Sequence, residues 1–372
     1  MRKKISDLTF KLTIALIGIA LFTGAILYAN EGFGTNQKAD DIQFETGRII
    51  NILSIDATET NGVYQGQMTV IVQIETGIFT GQTREVTYFL NQMTTAPLTM
   101  DTLVSVRLST EDNLLTNIHI QHPERRQVVI AFFALFFVVL ALLGGKKGIM
   151  SILGLAFTLV SLYLLLIPLM LRGYPVILTT FFILTVVIVV VLSLLAGMSA
   201  KGISAIIGCL IGLIITATFG TIGARLAHIT GFHMEEIGLI LTTTNMEKSS
   251  ASGLLISGLL IASLGAIMDT ALTVSSTIHE MRQANAKLSA RALFKSGMNV
   301  GKDTMGTMST TLILAFAGTS LNMMILLYGT GTSFNQLINS HIMVIEIMRA
   351  IGGSLGIILT IPAVAFISSI LE

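Results

Sequence analysis

Seven apolar runs of helical length follow one another in the last two thirds of the chain, and they constrain its fold more than any other feature. A helix needs roughly 20 mainly apolar residues to cross the hydrocarbon core of a bilayer. An eighth run, Leu12 to Tyr28, follows a basic N-terminus. The pattern predicts an α-helical polytopic membrane protein with about eight transmembrane helices. The seven later runs are Val128 to Leu143, Ile149 to Leu171, Val176 to Leu195, Ile203 to Leu226, Gly253 to Val274, Thr307 to Leu327 and Ile351 to Leu371.

The low charge content supports the same fold class and narrows the kind of partner. Charged residues make up 12% of the chain, about half of the roughly 25% in an ordinary soluble domain. With 52% hydrophobic residues, the chain is too apolar to be disordered. Its net charge of +1 lacks the basic excess that nucleic-acid binding needs. The lipid bilayer is therefore the expected partner, and no nucleic acid is expected.

Basic residues collect on one side of the predicted spans. That side carries the N-terminus, Lys146, Lys147, Lys201 and the segment 278–303, and the positive-inside rule identifies it as cytoplasmic. An even number of spans then places both termini in the cytoplasm and residues 30–126 outside. The exceptions are Arg125, Arg126, Arg172 and Arg225.

Polarity divides the chain into three parts. Residues 1–30 form a predicted transmembrane anchor. A signal peptide is the alternative, but Leu27-Tyr28-Ala29 is a poor cleavage site because Leu is large for its first position. Residues 35–122 form a predicted extracytoplasmic β-rich domain, and residues 127–372 form a seven-helix transmembrane domain. Within it, residues 278–303 are basic and amphipathic, which is typical of a helix on an anionic leaflet. A gate or a partner contact is the alternative.

Five short segments of the outer part have strand character. They are rich in Val, Thr, Tyr and Phe, and turn signals such as Asn61-Gly62 separate them. Their spacing predicts a small barrel or sandwich of the size of an OB or SH3 domain. We interpret it as a rigid cap or docking module, with direct ligand binding as the alternative. The segments are Arg48 to Ile55, Met68 to Ile74, Arg84 to Leu90, Leu103 to Leu108 and Leu115 to Ile120.

Asp269 is the strongest candidate for a functional group within a span, because an ionisable residue in lipid is costly. Steps of three and four along its helix define one face, with small residues above and polar residues below. Such a face is expected to pack on another helix and then to open towards the cytoplasm. Asp269 is either a proton- or cation-binding carboxylate on a permeation route or a structural carboxylate bonded to a neighbouring helix. The face consists of Gly258, Ala262, Gly265, Asp269, Thr273, Ser276 and Glu280.

The next run carries a second polar face. It begins with Lys302 and Asp303 and continues with small and hydroxyl residues: Thr307, Thr310, Thr311, Ala315 and Gly318. Thr hydroxyls in membrane helices donate to carboxylates of other helices or to their own backbone. The face alone therefore does not distinguish a transport role from a structural one.

Glu346 and Arg349 are three residues apart in the last run and are therefore neighbours on a helix. An ion pair that fixes helix packing is the favoured interpretation, and a substrate-binding role is the alternative. The depth of the pair depends on whether the helix starts near Ile342 or near Ile351. The predicted helix-packing positions are Gly258, Ala262, Gly265, Gly306, Gly353 and Gly356.

Motifs for enzymatic chemistry are weak or missing. His228 and the segment 231–236 offer two imidazoles and two carboxylates, but their spacing is not that of a zincin. A solvated loop is the interpretation there, and a metal site is the alternative. The sequence has no GxxxxGK[ST], no GxSxG and no HExxH. No catalytic residue, metal or cofactor is predicted, and a membrane enzyme is the least supported hypothesis.

Three segments carry the most specific sequence: GLLISGLLIASLGAIMDTALTVSS, SGMNVGKDTMGTMSTTLILAFAGTSL and EIMRAIGGSLGIILTIPAVAF. With GAIMDTA around Asp269 and GKDTMGTM around Asp303, they resemble the YibE/F-like family of bacterial multi-pass membrane proteins. The resemblance extends from about Gly47 to the C-terminus and is densest in residues 231–365. The chain departs from the family pattern where Thr310 and Phe316 replace Asn and Tyr, so polar contacts at these two sites are not expected.

The resemblance implies a polytopic protein of the bacterial cell membrane, with an outer β-rich domain in the longer members. Similar proteins often come as a longer and a shorter relative. A heteromer with a shorter related membrane protein is therefore implied, and a homo-oligomer is the alternative. The resemblance defines no catalytic residues.

A transport function is the hypothesis that the polar stripe supports best. Because the chain has a polar intramembrane face and no ATPase motif, it predicts a permease or exporter of a small solute or ion, proton-coupled through Asp269. The alternative is a non-transporting membrane scaffold whose outer domain docks a partner protein.

Overall fold

Two compact units make up the fold, one within residues 32–140 and one within residues 1–31 and 141–372. The described chain is mostly helical. The computed structural model describes residues 18, 20–31, 42–60, 62–90, 97–111, 114–232, 234, 237–244 and 250–372.

The first unit is built on five antiparallel strands in the order β3-β2-β1-β4-β5. The long strand β1 pairs with β4 through its first residues and with β2 through the rest. The outer strands β3 and β5 approach each other, so the sheet is nearly closed. This confirms the prediction of a small barrel-like domain. The strands are β1 (Ile42–Thr60), β2 (Val63–Ile74), β3 (Thr83–Leu90), β4 (Leu103–Glu111) and β5 (Leu114–Pro123).

Alternation along the strands places the core of the barrel. In β2, Met68, Val70, Val72 and Ile74 are all fully buried, as the period of two in a strand requires. The turn between β1 and β2 has Gly62 at a positive φ of 78°, a conformation that glycine adopts without strain. Its predicted partner Asn61 lies outside the described residues.

The second unit consists of helices. Five helices of the described chain are long and apolar enough to cross a membrane, and a bent pair makes up to six. The apolar helices fit a membrane-associated protein. The helices are α1 (Ala20–Asn30), α2 (Arg126–Ser161, which begins in the first unit), α3 (Ile167–Leu171), α4 (Val176–Ala196), α5 (Ala200–Leu226), α6 (Ile237–Thr243), α7 (Ser250–Ala284), α8 (Ala290–Thr319), α9 (Leu321–Gly329), α10 (Phe334–Asn339) and α11 (His341–Leu371).

The two predicted runs Val128 to Leu143 and Ile149 to Leu171 fall in one nearly continuous helical segment. A non-helical residue, Gly145 with φ 53° and ψ −131°, lies between them within α2. One turn of π-helix, Leu162–Leu166, joins α2 to α3. The N-terminal part of the predicted run Leu12 to Tyr28 lies outside the described residues.

Three predicted segments have different limits in the structure. The run Thr307 to Leu327 is not one straight helix, because α8 ends at Thr319 and α9 continues at a bend of 58°. The last helix begins at His341, in agreement with the alternative start near Ile342 and ten residues before the start near Ile351. The Ser340 side chain caps it there by accepting from the N–H of Met343. The segment 278–303 is not a single helix but the end of α7, a turn and the start of α8, where Ser289 is the cap.

Arg172, one of the exceptions to the predicted distribution of basic residues, has a structural role. Its Nε donates to the carbonyl of Ala29 at 3.0 Å, and its guanidinium lies 4.9 Å from the ring centre of Tyr28. This carbonyl lies at the C-terminal end of α1, and the last carbonyls of a helix have no partner within the helix. The Asn30 amide also donates to the carbonyl of Leu164 in the π-helical turn at 2.7 Å. Arg172 and Asn30 thus fix α1 against the rest of the helical unit.

The closest helix contact described here joins α5 and α11 through glycines. A Cβ added to Gly356 would overlap Oγ1 of Thr216, and one added to Gly212 would overlap Oγ1 of Thr360. Both threonines donate to a carbonyl of their own helix, four residues earlier. The hydroxyls are therefore satisfied within each helix, and the glycines let the backbones approach closely.

We predict that Gly356→Leu destabilises the helical unit, because the larger side chain has no space between α5 and α11. The expected loss in the free energy of unfolding is about 2 kcal/mol or more. Reversible unfolding of the purified protein in mixed micelles measures it. Gly265→Leu is the matched control, since no atom lies within 4 Å of a Cβ at Gly265. Equal losses in the two variants would contradict the assignment of the α5–α11 contact.

Candidate functional site

One face of α7 is exposed in the single chain, and it is the face that carries Asp269. We call it the α7 stripe. Ala262, Gly265, Asp269, Thr273 and Glu280 are exposed, whereas the opposite face contributes to the core of the unit. In the upper half of this face, Ala262 and Gly265 have no helix packed on them among the described residues, whereas Gly258 lies beside Arg349 of α11. The α7 stripe comprises Gly258, Ala262, Gly265, Asp269, Thr273, Ser276 and Glu280, of which Gly258 and Ser276 are half-buried.

Asp269 has no hydrogen bond or salt bridge to any residue that the structure describes. The helices α7 and α8 run antiparallel, with Ile278 against Gly297, and the same register puts Asp269 level with Gly306. The nearby hydroxyls of α8 do not reach it, because Thr311 donates to the carbonyl of Thr307 at 2.9 Å. The carboxylate is therefore not held by a structural bond within the described chain.

The second predicted face, on α8, is also exposed. Lys302, Asp303, Gly306, Thr307 and Thr311 all lie on the surface of the single chain. Thr307 donates to the carbonyl of Thr304 at 3.0 Å, so both predicted threonines bond their own helix. The structure thus brings the α8 face to the level of the α7 stripe without a hydrogen bond between the two in the described part.

The upper end of the α7 stripe meets an ion pair on α11. Arg349 Nη1 donates to Glu346 Oε1 at 2.8 Å. The two side chains are 20% and 18% exposed. Nη2 of Arg349 lies 3.9 Å from the position that a Cβ would take at Gly258. The absence of a side chain at Gly258 therefore leaves room for the guanidinium at the head of the stripe.

Arg349 keeps most of its hydrogen-bonding capacity unused. A guanidinium has five N–H donors, and only the bond to Glu346 occupies one of them among the described residues. Its Nε is buried and has no partner there. A buried donor without a partner costs free energy, so this arrangement indicates a group that receives a ligand or water.

The ion pair lines a cavity of about 460 Å³. The opposite wall is the bend between α8 and α9, with Ser320 at the junction. Ser320 is only 8% exposed, and its hydroxyl has no hydrogen bond to any described residue. The first turn of α9, with Asn322 and Met323, also lines the cavity and has no side-chain cap. The cavity thus combines a cation, an anion and neutral polar groups.

The predicted packing glycines fall into two groups. A Cβ at Gly353 would meet Leu312 and Ser263, and one at Gly356 would meet Thr216, so these two lie in close helix contacts. A Cβ at Gly265 or Gly306 would meet no atom within 4 Å. These outward positions suit contact with something other than the described chain.

No metal-binding group is present among the described residues. Groups of three or more His, Cys, Asp or Glu side chains that could hold an ion are not found there. His228 has a positive φ of 52° and is exposed. Its predicted companions His233, Glu235 and Glu236 lie outside the described residues. The only cysteine of the sequence, Cys209, is fully buried on α5.

Sequence reasoning did not identify Ser320 and Asn322 as site residues. Both fall in the run Thr307 to Leu327, which reads as one apolar span. The signal that could have found them is the cluster Gly318-Thr319-Ser320, since small and hydroxyl residues favour helix breaks. The cavity depends on that break and could not be placed without it.

We predict that Glu346 and Arg349 are energetically coupled. In a double-mutant cycle with Glu346→Gln and Arg349→Gln, the coupling free energy should be about 1 kcal/mol, because the pair is largely but not fully shielded from solvent. The free energy of unfolding of the four proteins in mixed micelles measures it. A control cycle pairs Glu346→Gln with Arg225→Gln, since Arg225 is exposed. Coupling of equal size in the control cycle would contradict a specific pair.

Comparison with known proteins assigns the helical part of the chain to a family. The family model described as YibE/F-like protein matches residues 132–372. It begins within α2 and so leaves out the strands, although the sequence resemblance was expected from about Gly47 onwards. Searches of curated proteins and of solved structures give no match. The match confirms the resemblance seen in the residues: the chain belongs to the YibE/F-like family.

Proposed function

We propose that the protein is a membrane permease or exporter of a small solute, which moves along the α7 stripe between the Arg349 cavity and the Glu280 end. Asp269 is the proton-binding group that couples the solute to the proton gradient. The family assignment names no activity, so the proposal rests on the geometry of the helical unit.

The observation that carries the proposal is the exposed stripe of small and polar residues on α7. At 1.5 Å per residue, the whole stripe from Gly258 to Glu280 extends about 33 Å, and its polar part from Asp269 to Glu280 extends about 17 Å. The hydrocarbon core of a bilayer is roughly 30 Å thick. A face of this length that carries an unpaired carboxylate cannot lie in lipid without a large cost. It needs water or a protein partner beside it, and a solute route supplies the water.

The bend between α8 and α9 supports the same function. Broken helices in transporters expose backbone groups at their ends and bind substrate there, where a cavity surrounds the irregular backbone. Here the break at Ser320 lies against the cavity that Glu346 and Arg349 line. The cavity is therefore the proposed binding site, and Asp269 lies about 17 Å further along the helix axis from Gly258.

Asp269 suits proton coupling because nothing in the described chain fixes its charge state. A carboxylate held by an arginine or by backbone donors would stay ionised. Without such a partner, the Asp269 carboxylate can bind a proton from one side of the membrane and release it to the other during transport. Since the sequence has no ATP-binding loop, a proton gradient is the available source of energy.

The proposed topology has eight spans with both termini in the cytoplasm. The spans are α1, the two halves of α2 on either side of Gly145, α4, α5, α7, the bent pair α8–α9, and α11, with α3 extending the second half of α2. The barrel then lies outside and the turn at 285–289 lies inside. The basic residues of that turn and its flanks support this orientation.

The proposal also includes a second protein chain that packs beside α7 and α8. The exposed α7 stripe and the exposed face of α8 leave Gly265 and Gly306 without neighbours. A second copy or a shorter relative packed beside them would enclose the stripe and separate it from lipid. The small residues at these positions support such close packing.

We predict that Asp269→Asn abolishes proton-coupled flux. Proteoliposomes holding the protein and an internal pH dye are given inward gradients of alkali cations, phosphate, acetate and amino acids in turn. In liposomes that contain the wild-type protein, at least one of these solute gradients should change the luminal pH that the dye reports. Asp269→Asn should give the signal of protein-free liposomes, because an amide side chain does not bind and release protons as a carboxylate does.

Two control variants support the reading of that experiment. Asp269→Glu keeps the carboxyl and should retain part of the flux. Asp101→Asn in the barrel should retain all of it, because Asn tolerates the positive φ of 61° at that position. Full flux in Asp269→Asn would contradict the role of Asp269. No flux in wild type with any solute would favour the scaffold that docks a partner through its barrel.

We predict that a membrane-impermeant maleimide distinguishes the two sides. Thr80→Cys in the barrel should react in intact cells, and Ala286→Cys in the α7–α8 turn should react only after permeabilisation. Both positions are exposed. The native Cys209 is fully buried and gives a low background. The reverse labelling pattern would contradict the proposed orientation.

A further inference from the structure

We propose that the cavity between α11 and the α8–α9 bend binds a small zwitterion of the amino-acid class. Arg349 holds its carboxylate and Glu346 holds its ammonium group. This names the substrate class of the route proposed above and rests on that function for its physiological meaning, although binding itself is measurable without transport.

The first step is the unused capacity of the ion pair. The bond between Nη1 of Arg349 and Oε1 of Glu346 uses one donor and one acceptor. Nε and Nη2 of Arg349 and Oε2 of Glu346 have no partner among the described residues. Because Nε is buried, Nη2 is the donor that a carboxylate in the cavity can reach, through a charge-assisted hydrogen bond. The pair therefore offers a carboxylate site and an ammonium site side by side.

The second step is the charge balance of the cavity. Among the residues that the structure describes, Arg349 and Glu346 are the ionisable side chains that line it. A ligand with a net charge would leave one member of the pair facing an unbalanced charge in surroundings where that is costly. A zwitterion adds one charge of each sign and satisfies both members at once. The balance therefore favours a zwitterion over a simple anion or cation.

The third step is Ser320, which points to a ligand independently of the ion pair. It is more than nine-tenths buried, it lines the cavity, and its hydroxyl has no partner in the described chain. The hydroxyl oxygen keeps contact with solvent, so a ligand in the cavity can reach it. Asn322 on the next turn adds a donor and an acceptor on the same wall. Both side chains are neutral, so they add polar contacts without changing the charge balance.

The size of the cavity suits this ligand class. About 460 Å³ lies in the lower part of the range of ligand pockets, roughly 300 to 1,000 Å³. The remaining wall includes Met323, Leu326, Ile342 and Ile345. These apolar side chains leave space for a hydrocarbon side chain beside the charged end of the ligand.

The experiment measures binding to the purified full chain in detergent micelles by titration calorimetry. Glycine, leucine and phenylalanine are the first probes. For leucine, the matched analogues are 4-methylpentanoate, which lacks the ammonium group, and isoamylamine, which lacks the carboxylate. Wild type should bind an amino acid, and each analogue should bind at least about tenfold more weakly.

Three variants separate recognition of the ligand from a structural role. Arg349→Gln should weaken both the amino acid and 4-methylpentanoate at least about tenfold. Glu346→Gln should weaken the amino acid but strengthen 4-methylpentanoate, because it removes the negative charge that repels it. Ser320→Ala should weaken the amino acid by a smaller factor. The control Arg225→Gln removes an exposed arginine outside the cavity and should leave binding unchanged.

Several results would overturn the proposal. These are no binding of any of the three amino acids at millimolar concentration, equal binding of 4-methylpentanoate or inorganic phosphate, and loss of 4-methylpentanoate binding in Glu346→Gln. The last result would indicate a merely structural pair. Asp269-dependent flux without amino-acid binding would refute this inference alone, and amino-acid binding without flux would refute the permease alone.

Discussion

The helical unit depends on one requirement: in apolar surroundings, each polar group has to find a partner within the protein. Its buried hydroxyls show how this is achieved. Thr180, Thr216 and Thr360 each donate to the carbonyl four residues earlier on their own helix. Where hydroxyls of two helices meet, they bond each other, as Ser204 and Ser368 do at 2.8 Å. Among the described residues, Asp269, Ser320 and Arg349 have side-chain groups without a hydrogen-bond partner, as do Ser309 and Ser354. The first three define the proposed route.

The same requirement explains how the helices can pack so closely. A threonine that bonds its own backbone has a satisfied hydroxyl, and glycine on the facing helix leaves room for that hydroxyl at close approach. This is the arrangement of Thr216 against Gly356 and of Thr360 against Gly212. The helix α7 also packs against α5, and its opposite face carries Asp269 and is exposed.

Much of the fold could be predicted from the sequence, because periodicity and apolar length are local signals. The five strands and the apolar helices follow directly from them. The bend at Ser320 was not predicted, because the flanking residues are apolar enough to continue one helix and outweigh the one local signal, the cluster Gly318-Thr319-Ser320. For the same reason the cavity was missed, although its charged residues Glu346 and Arg349 were identified. The stripe was found from helical spacing, but spacing alone does not say whether such a face packs on a neighbour or stays open.

The docking of α1 has a consequence for the order of events during synthesis. Ala29 and Asn30 bond to Arg172 and Leu164, which are separated from them by 143 and 134 positions in sequence. A ribosome that adds about 5 to 20 residues per second needs on the order of 10 s to make that interval. The whole barrel leaves the ribosome within this delay. All five strands are therefore synthesised before the partners of α1 exist, and α1 docks on Leu164 and Arg172 only after the last strand has been made.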